Sequence, residues 1–211
     1  MRHLPTEGTP AGRIDRHQLA ARLDTANGQG IRSDATVSST LHAAVAGSTS
    51  LVVSPLLRAQ QTAAVVLALL ADEAAAPTVV TMSGVREAPL PKLKFRPRLP
   101  LDAWDVLSRA AWMLGYSGGV ETRAEAVVRA RRAAVEIERL AVHGPVTVIA
   151  HGYFNLMLAA QFRARGWRGP RFPNHRNGAV TRYTLDPRHP PTPDRYIRGT
   201  CDLAAAPPKP G

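Results

Sequence analysis

With 211 residues, 45% of them hydrophobic and 20% charged, the chain has the size and apolar content of one domain with a sizeable core, and it shows no internal repeat. Its formal charge of +11 is dispersed along the sequence and aromatics make up only 5%, so the charge reads as an Arg-rich surface and nucleic acid is not an expected partner. The longest apolar runs, such as AAVVLALLA at 63–71, are too short to span a membrane, the start lacks a signal-peptide pattern, and the single cysteine, Cys201, excludes an internal disulfide or a thiolate cluster; a cytoplasmic protein with no membrane partner is expected.

The chain begins MRHLPTEGTPAGR, which places Arg2 and His3 directly behind Met1. SLVVS at 50–54 predicts a buried strand, followed by a helix of about 18 residues that starts near Pro55, with Ser54 as its N-cap. TVVTM at 78–82 predicts a second strand. Thr122 and Glu125 have capping-box spacing, and Val127, Ala130, Ala134, Ile137 and Ala141 form an apolar helical stripe that Gly144 and Pro145 bring to an end. VTVIA at 146–150 is a third buried strand running into His151 and Gly152, and a helix from Tyr153 to Arg165 follows. Asn177 and Gly178 turn the chain into a last strand, AVTRYTL at 179–185. The domain therefore spans 1–186, and 187–211 reads as a Pro-rich, disordered tail.

Strands alternating with helices imply an α/β fold, a three-layer sandwich whose mostly parallel central sheet is flanked by helices. Ligands of such sheets bind beyond the carboxyl ends of the strands. That rule makes neighbours of the segments 54–58 and 151–152, and it offers a place at the same rim for Arg2 and His3.

Taken singly, none of these residues specifies a chemistry, but their order does. Arg2-His3, Thr6, Gly12 and Arg13 are followed by SPLLRAQQTA at 54–63, by Glu87 in VREAPLP, and by VTVIAHG at 146–152. The series resembles the histidine phosphatase superfamily, the phosphoglycerate-mutase-like family. Its N-terminal signature of Arg-His-Gly-x-Thr, a later Asn and a Gly-Arg pair is met by Arg2, His3, Thr6, Gly12 and Arg13, with Leu4 in place of the Gly and Thr9 in place of the Asn. The second signature is complete from Ser54 to Ala63, and the third is His151-Gly152.

The resemblance implies a small phosphatase of bacterial type: a metal-independent phosphomonoester hydrolase with no cofactor, acting on a phosphorylated small molecule. His3 would attack phosphorus and form a phosphohistidine. Arg2 and Arg58 would clamp the phosphoryl oxygens with planar forks of donors, Arg58 from the first turn of its helix. His151 would stabilise charge in the transition state, and Glu87, protonated in an anionic neighbourhood, would give its proton to the leaving alcohol. Arg13, Thr9 and Gly152 complete the expected substrate contacts. Glu121 and Asp102 compete with Glu87 for the proton-donor role. Thr62 is read as a helix-packing residue, and His42, His143 and His175 as solvent-facing. Trp104, Trp112 and Tyr116 are read as packing residues, with the lining of an apolar substrate pocket as the alternative, and KLKFRPRLP at 92–100 as a solvated loop, with recognition of a second phosphate or another acidic group as the alternative.

The family's first strand lies in mid-sheet and delivers the Arg-His pair. Here only Met1 precedes Arg2, so the strand reads as truncated, and an upstream segment rich in β-branched residues is expected. A mutase and a non-catalytic phosphate-binding protein are the competing readings.

Overall fold

The computed structural model describes residues 1–6, 12–71, 76–95 and 97–185. Thr9 and the tail at 187–211 lie outside the described residues. Three strands, β2 (Ser50–Val53), β3 (Thr78–Thr81) and β5 (Val146–Ile149), form a parallel sheet in the order β3-β2-β5. Leu51 faces Val79 on one side and Thr147 on the other.

Strand alternation divides the core between the two faces of the sheet. Leu51 and Val53 of β2 and Ile149 of β5 pack with Leu41 and Val45 of α2 (Ser39–Ala46) and with Ala59, Ala63 and Val66 of α3 (Leu57–Ala68). Val52 points the other way, to Ala130, Ala134 and Ile137 of α5 (Arg123–Ala141) and to Phe154 and Leu158 of α6 (Gly152–Ala164). Helices on both faces make the three-layer α/β sandwich that the alternation of elements predicts.

Outside the sandwich, β1 (Arg13–Ile14) pairs antiparallel with β4 (Leu99–Pro100). Against this pair, α1 (Arg16–Thr25) and α4 (Leu101–Met113) build a smaller core of Ile14, Leu19, Leu101 and Trp104. Trp104 and Trp112 are fully buried, whereas Tyr116 is exposed. Lys92, in the basic loop, is exposed and pairs with Asp24.

Met1 to His3 run beside β5 on the side away from β2. Arg2 bridges Ala150 in parallel, and Ala150 N–H donates to the Met1 carbonyl (3.0 Å) while His3 N–H donates to the Ala150 carbonyl (3.1 Å). Among the described residues they form the edge of the sheet beyond β5, and they carry His3 to its carboxyl end. Further back along the same edge lies a cavity of about 730 Å³ between α2, β5, α6 and residues 180–185. None of the candidate site residues lines it.

Three local expectations need correction. The helix expected from Pro55 begins at Leu57 and has 12 residues, without a side-chain cap. Ser54 lies two residues ahead of the N-cap position, Leu56; its hydroxyl meets His151 Nε2 and accepts from Leu56 N–H at 3.4 Å. The stripe on α5 is rotated, because Val127 is 37% exposed and the buried positions are Ala126, Ala130, Ala133, Ala134, Ile137 and Glu138. The predicted last strand shrinks to β7 (Thr184–Leu185), which pairs antiparallel with β6 (Trp167–Arg168) outside the main sheet. Val180 and Tyr183 ahead of it are used for packing on opposite faces of the sandwich. The capping box at Thr122 and Glu125 is present, and Gly144 after α5 has φ +141°, where a Cβ would overlap Thr49.

Candidate active site

The carboxyl ends of β2 and β5, the lane of Met1–His3 and the first turns of α3 and α6 converge on one spot. His3 and His151 are 5% and 0% exposed, and their ring centroids lie 5.2 Å apart. Arg58 is also buried, in the first turn of α3.

The His3 ring is held in one tautomer. Nδ1 lies 2.7 Å from the Leu4 carbonyl, an acceptor, so the proton belongs on Nδ1. Nε2 then keeps its lone pair, which accepts from Arg58 Nε at 3.2 Å. Burial pushes the His3 pKa down to about 4, with the Arg58 and Arg2 charges acting in the same direction and the Leu4 bond opposing them. His3 is therefore a neutral imidazole with its Nε2 lone pair facing the Arg58 guanidinium. Leu4, where the resemblance expects Gly, is fully buried and packs under α3, while its N–H donates to Thr62 Oγ1. Thr62 in turn donates to the Arg58 carbonyl, which bears out its reading as a packing residue.

His151 places Nε2 2.7 Å from the Ser54 hydroxyl. Its Nδ1 is buried without a partner, and burial together with Arg58, His3 and Arg2 lowers its pKa to about 2. Arg2 donates from Nη1 to the His175 carbonyl (2.7 Å), while its Nε is buried and unpartnered. Arg58 donates from Nη1 to the Ala26 carbonyl (2.7 Å). Gly152 opens α6 beside Arg2: a Cβ there would stand 3.4 Å from Arg2 Nε.

Buried polar atoms normally find partners, so two nitrogens left open within one cationic cluster mark a place that suits an anion. Among the described residues, no group of three His, Cys, Asp or Glu could hold a metal ion. Glu87 sits at the rim, on the segment after β3. Its Oε1 accepts from Ala88 N–H and Phe154 N–H (both 2.9 Å), and its Oε2 approaches Tyr153 N–H at 3.4 Å. The carboxylate thus closes the amino end of α6, where free N–H groups and the helix dipole favour negative charge. It acts electrostatically on both Arg58 and Arg109. Its surroundings are cationic, not anionic as expected from the sequence.

The two competitors of Glu87 are placed elsewhere. Glu121 is tied by both oxygens to Arg129 (2.7 Å each), and Asp102 is exposed at the start of α4. Arg13 is not brought to the cluster: it is exposed and donates to the Arg98 carbonyl across the β1–β4 pair. His143 and His175 are exposed as expected, but His42 is half-buried. Sequence reasoning missed Ser54 as the partner of His151, the carbonyls that steady Arg2 and Arg58, and Arg109. Only the spatial meeting of distant segments reveals them.

Two solved structures are similar at low identity. One is a putative alpha-ribazole-5'-P phosphatase from Escherichia coli K-12, at 18% identity over 77% of each chain with a TM-score of 0.44. The other is a mycobacterial glucosyl-3-phosphoglycerate phosphatase complexed with VO3, at 19% identity over 88% of this chain and 94% of the other with a TM-score of 0.45. No curated protein matches the chain. The family profile described as histidine phosphatase superfamily (branch 1) matches residues 2–194, a span that takes in both histidines, both clustered arginines and Glu87, and the chain belongs to that superfamily.

Proposed function

We propose that this chain hydrolyses phosphomonoesters of small molecules through a phosphohistidine on His3. The observation that carries the reading is a neutral His3 whose Nε2 lone pair meets the buried Arg58, with the half-buried Arg2 and a second buried neutral histidine in the same cluster and nitrogens of Arg2 and His151 left open. A phosphoryl group placed there would meet its nucleophile and its charge-balancing donors together.

The His3 Nε2 lone pair forms the N–P bond as the P–O bond to the alcohol breaks. Arg2 and Arg58 offset the negative charge on the non-bridging oxygens, and His151 supplies a further hydrogen bond through its free edge. Glu87, at the rim, transfers a proton to the departing oxygen. In the second half, Glu87 takes a proton from water, the hydroxyl oxygen bonds to phosphorus, and the N–P bond breaks to return neutral His3 and inorganic phosphate. No step calls on a metal.

Hydrolysis of an aryl phosphate in EDTA, measured beside His3→Ala, tests the reading. Turnover is expected in the parent chain, with loss on the order of 10⁴-fold or more in the variant, the scale of removing a covalent nucleophile. Equal rates in the two proteins would rule out His3 as the nucleophile. Absence of turnover, together with retained phosphate binding, would favour a binding protein.

A further inference from the structure

Among the described residues, the hydrogen bonds that hold Glu87 come from backbone, through the N–H groups of Ala88, Tyr153 and Phe154. The carboxylate can be no better placed than the two stretches of chain that supply those groups. Both stretches are gripped by arginines from neighbouring helices.

Arg109, half-buried on α4, donates from Nη2 to the Ala88 carbonyl at 3.0 Å. The same guanidinium lies 3.9 Å from the Tyr153 ring centroid and 4.9 Å from that of Trp112. Arg129, on α5, repeats the pattern from the other side. It donates to the carbonyls of Gly84 (2.8 Å) and Arg86 (2.9 Å) and lies 4.6 Å from the Phe154 ring. Each arginine therefore joins a carbonyl of the 84–88 segment to an aromatic ring in the first turn of α6, and Glu87 bridges the same two pieces between them.

The grips differ in charge. Arg129 is neutralised by the bidentate pair with Glu121. Among the described residues Arg109 makes no such pair, and its Nη1 is buried without a hydrogen-bond partner. Unlike Arg129, it leaves a guanidinium without a bonded carboxylate beside the Glu87 pocket.

We infer that Arg109, with Arg129 as its counterpart, is a positioning residue that fixes the Glu87 carboxylate by clamping the 84–88 segment onto the first turn of α6. The inference rests on the proton-donor role proposed for Glu87. Arg109 touches no reacting atom, so its effect should follow the demand for a proton at the leaving oxygen. An alkyl phosphate needs that proton, whereas 2,4-dinitrophenyl phosphate leaves without it.

The test compares Arg109→Met, Arg109→Lys and Glu87→Gln in the full chain on both substrates. Arg109→Met should lower kcat/KM, which reports formation of the phosphohistidine alone, by about tenfold or more for the alkyl phosphate, within the roughly 10²- to 10⁴-fold that proton transfer contributes, and change kcat/KM for the dinitrophenyl ester by less than about threefold. Arg109→Lys should recover part of the loss, and Arg109→Met should add nothing in a Glu87→Gln background. Equal losses on both substrates, or additive losses in the double variant, would overturn the inference. Amide hydrogen exchange supplies a readout that needs no turnover: Tyr153 and Phe154 should exchange faster in Arg109→Met, as in Glu87→Gln. Unchanged protection there would overturn the clamp even if the parent chain proved inactive. An inactive parent with faster exchange would support the clamp and defeat the hydrolase reading separately.

Discussion

Two buried polar clusters in this molecule are built on opposite principles. Behind the sheet, Glu138 of α5 accepts from Arg165 with one oxygen and from Trp167 Nε1 with the other, at 2.6 and 2.7 Å. At the front, Arg2, His3, Arg58 and His151 assemble two full positive charges, and open nitrogens remain on Arg2 and His151. The first cluster is complete within the chain, whereas the second keeps two nitrogens without a hydrogen-bond partner among the described residues. That contrast, more than composition, sets the two apart, since both consist of polar and charged side chains drawn out of water.

Breaking the closed cluster should cost the most stability. Glu138→Ala would remove the buried carboxylate to which Arg165 and Trp167 both donate, and a loss of about 3–5 kcal/mol is expected in urea unfolding, with Glu138→Gln less damaging because it can still accept from Trp167. A loss under about 1 kcal/mol would show that water replaces the carboxylate easily.

The open cluster should behave in the reverse way, gaining stability when it is filled. Vanadate at about 100 times its Kd should raise unfolding free energy by about 2.7 kcal/mol, and Arg58→Gln should abolish most of that gain. An equal gain in the variant would place the anion elsewhere.

The smallest effect concerns pH. The unfolded chain binds a proton at His3 near 6.5, whereas the folded chain resists it until about 4. Below pH 6.5 the unfolded state therefore holds more protons, so stability falls as pH drops from 6.5 toward 4 and is untouched above that window. His151, with its lower folded value, extends the loss to more acidic conditions. Urea midpoints at pH 7 and 5 should differ less in His3→Ala than in the parent chain; identical pH dependence in the two would contradict a buried neutral His3.

The comparison also explains what could be read in advance. The parallel sheet is legible because SLVV, TVVT and VTVI are short apolar runs bounded by turn residues, and Arg2, His3, Arg58 and His151 are legible because they sit at strand and helix ends within recognisable motifs. Ser54 illustrates the limit. Locally it is a good N-cap, but the helix starts three residues on, and the hydroxyl meets a histidine 97 residues later. Val127 fails for a related reason: which side of an Ala-rich helix is buried depends on what packs against it, and apolar spacing alone leaves the face undetermined by a turn or less. Arg109 is invisible to any linear reading, because a carbonyl at 88 and a ring at 153 give it meaning.

The bond from His3 Nδ1 to the Leu4 carbonyl carries a further consequence, for regiochemistry. Imidazole offers two sites to an electrophile, and free histidine reacts at both. Here one of them is occupied by a proton that points into the protein's own backbone. Any acyl, alkyl or phosphoryl group captured by His3 should therefore emerge as a single positional isomer, substituted at Nε2, and a mixture of isomers would mean that the ring turns over inside its pocket.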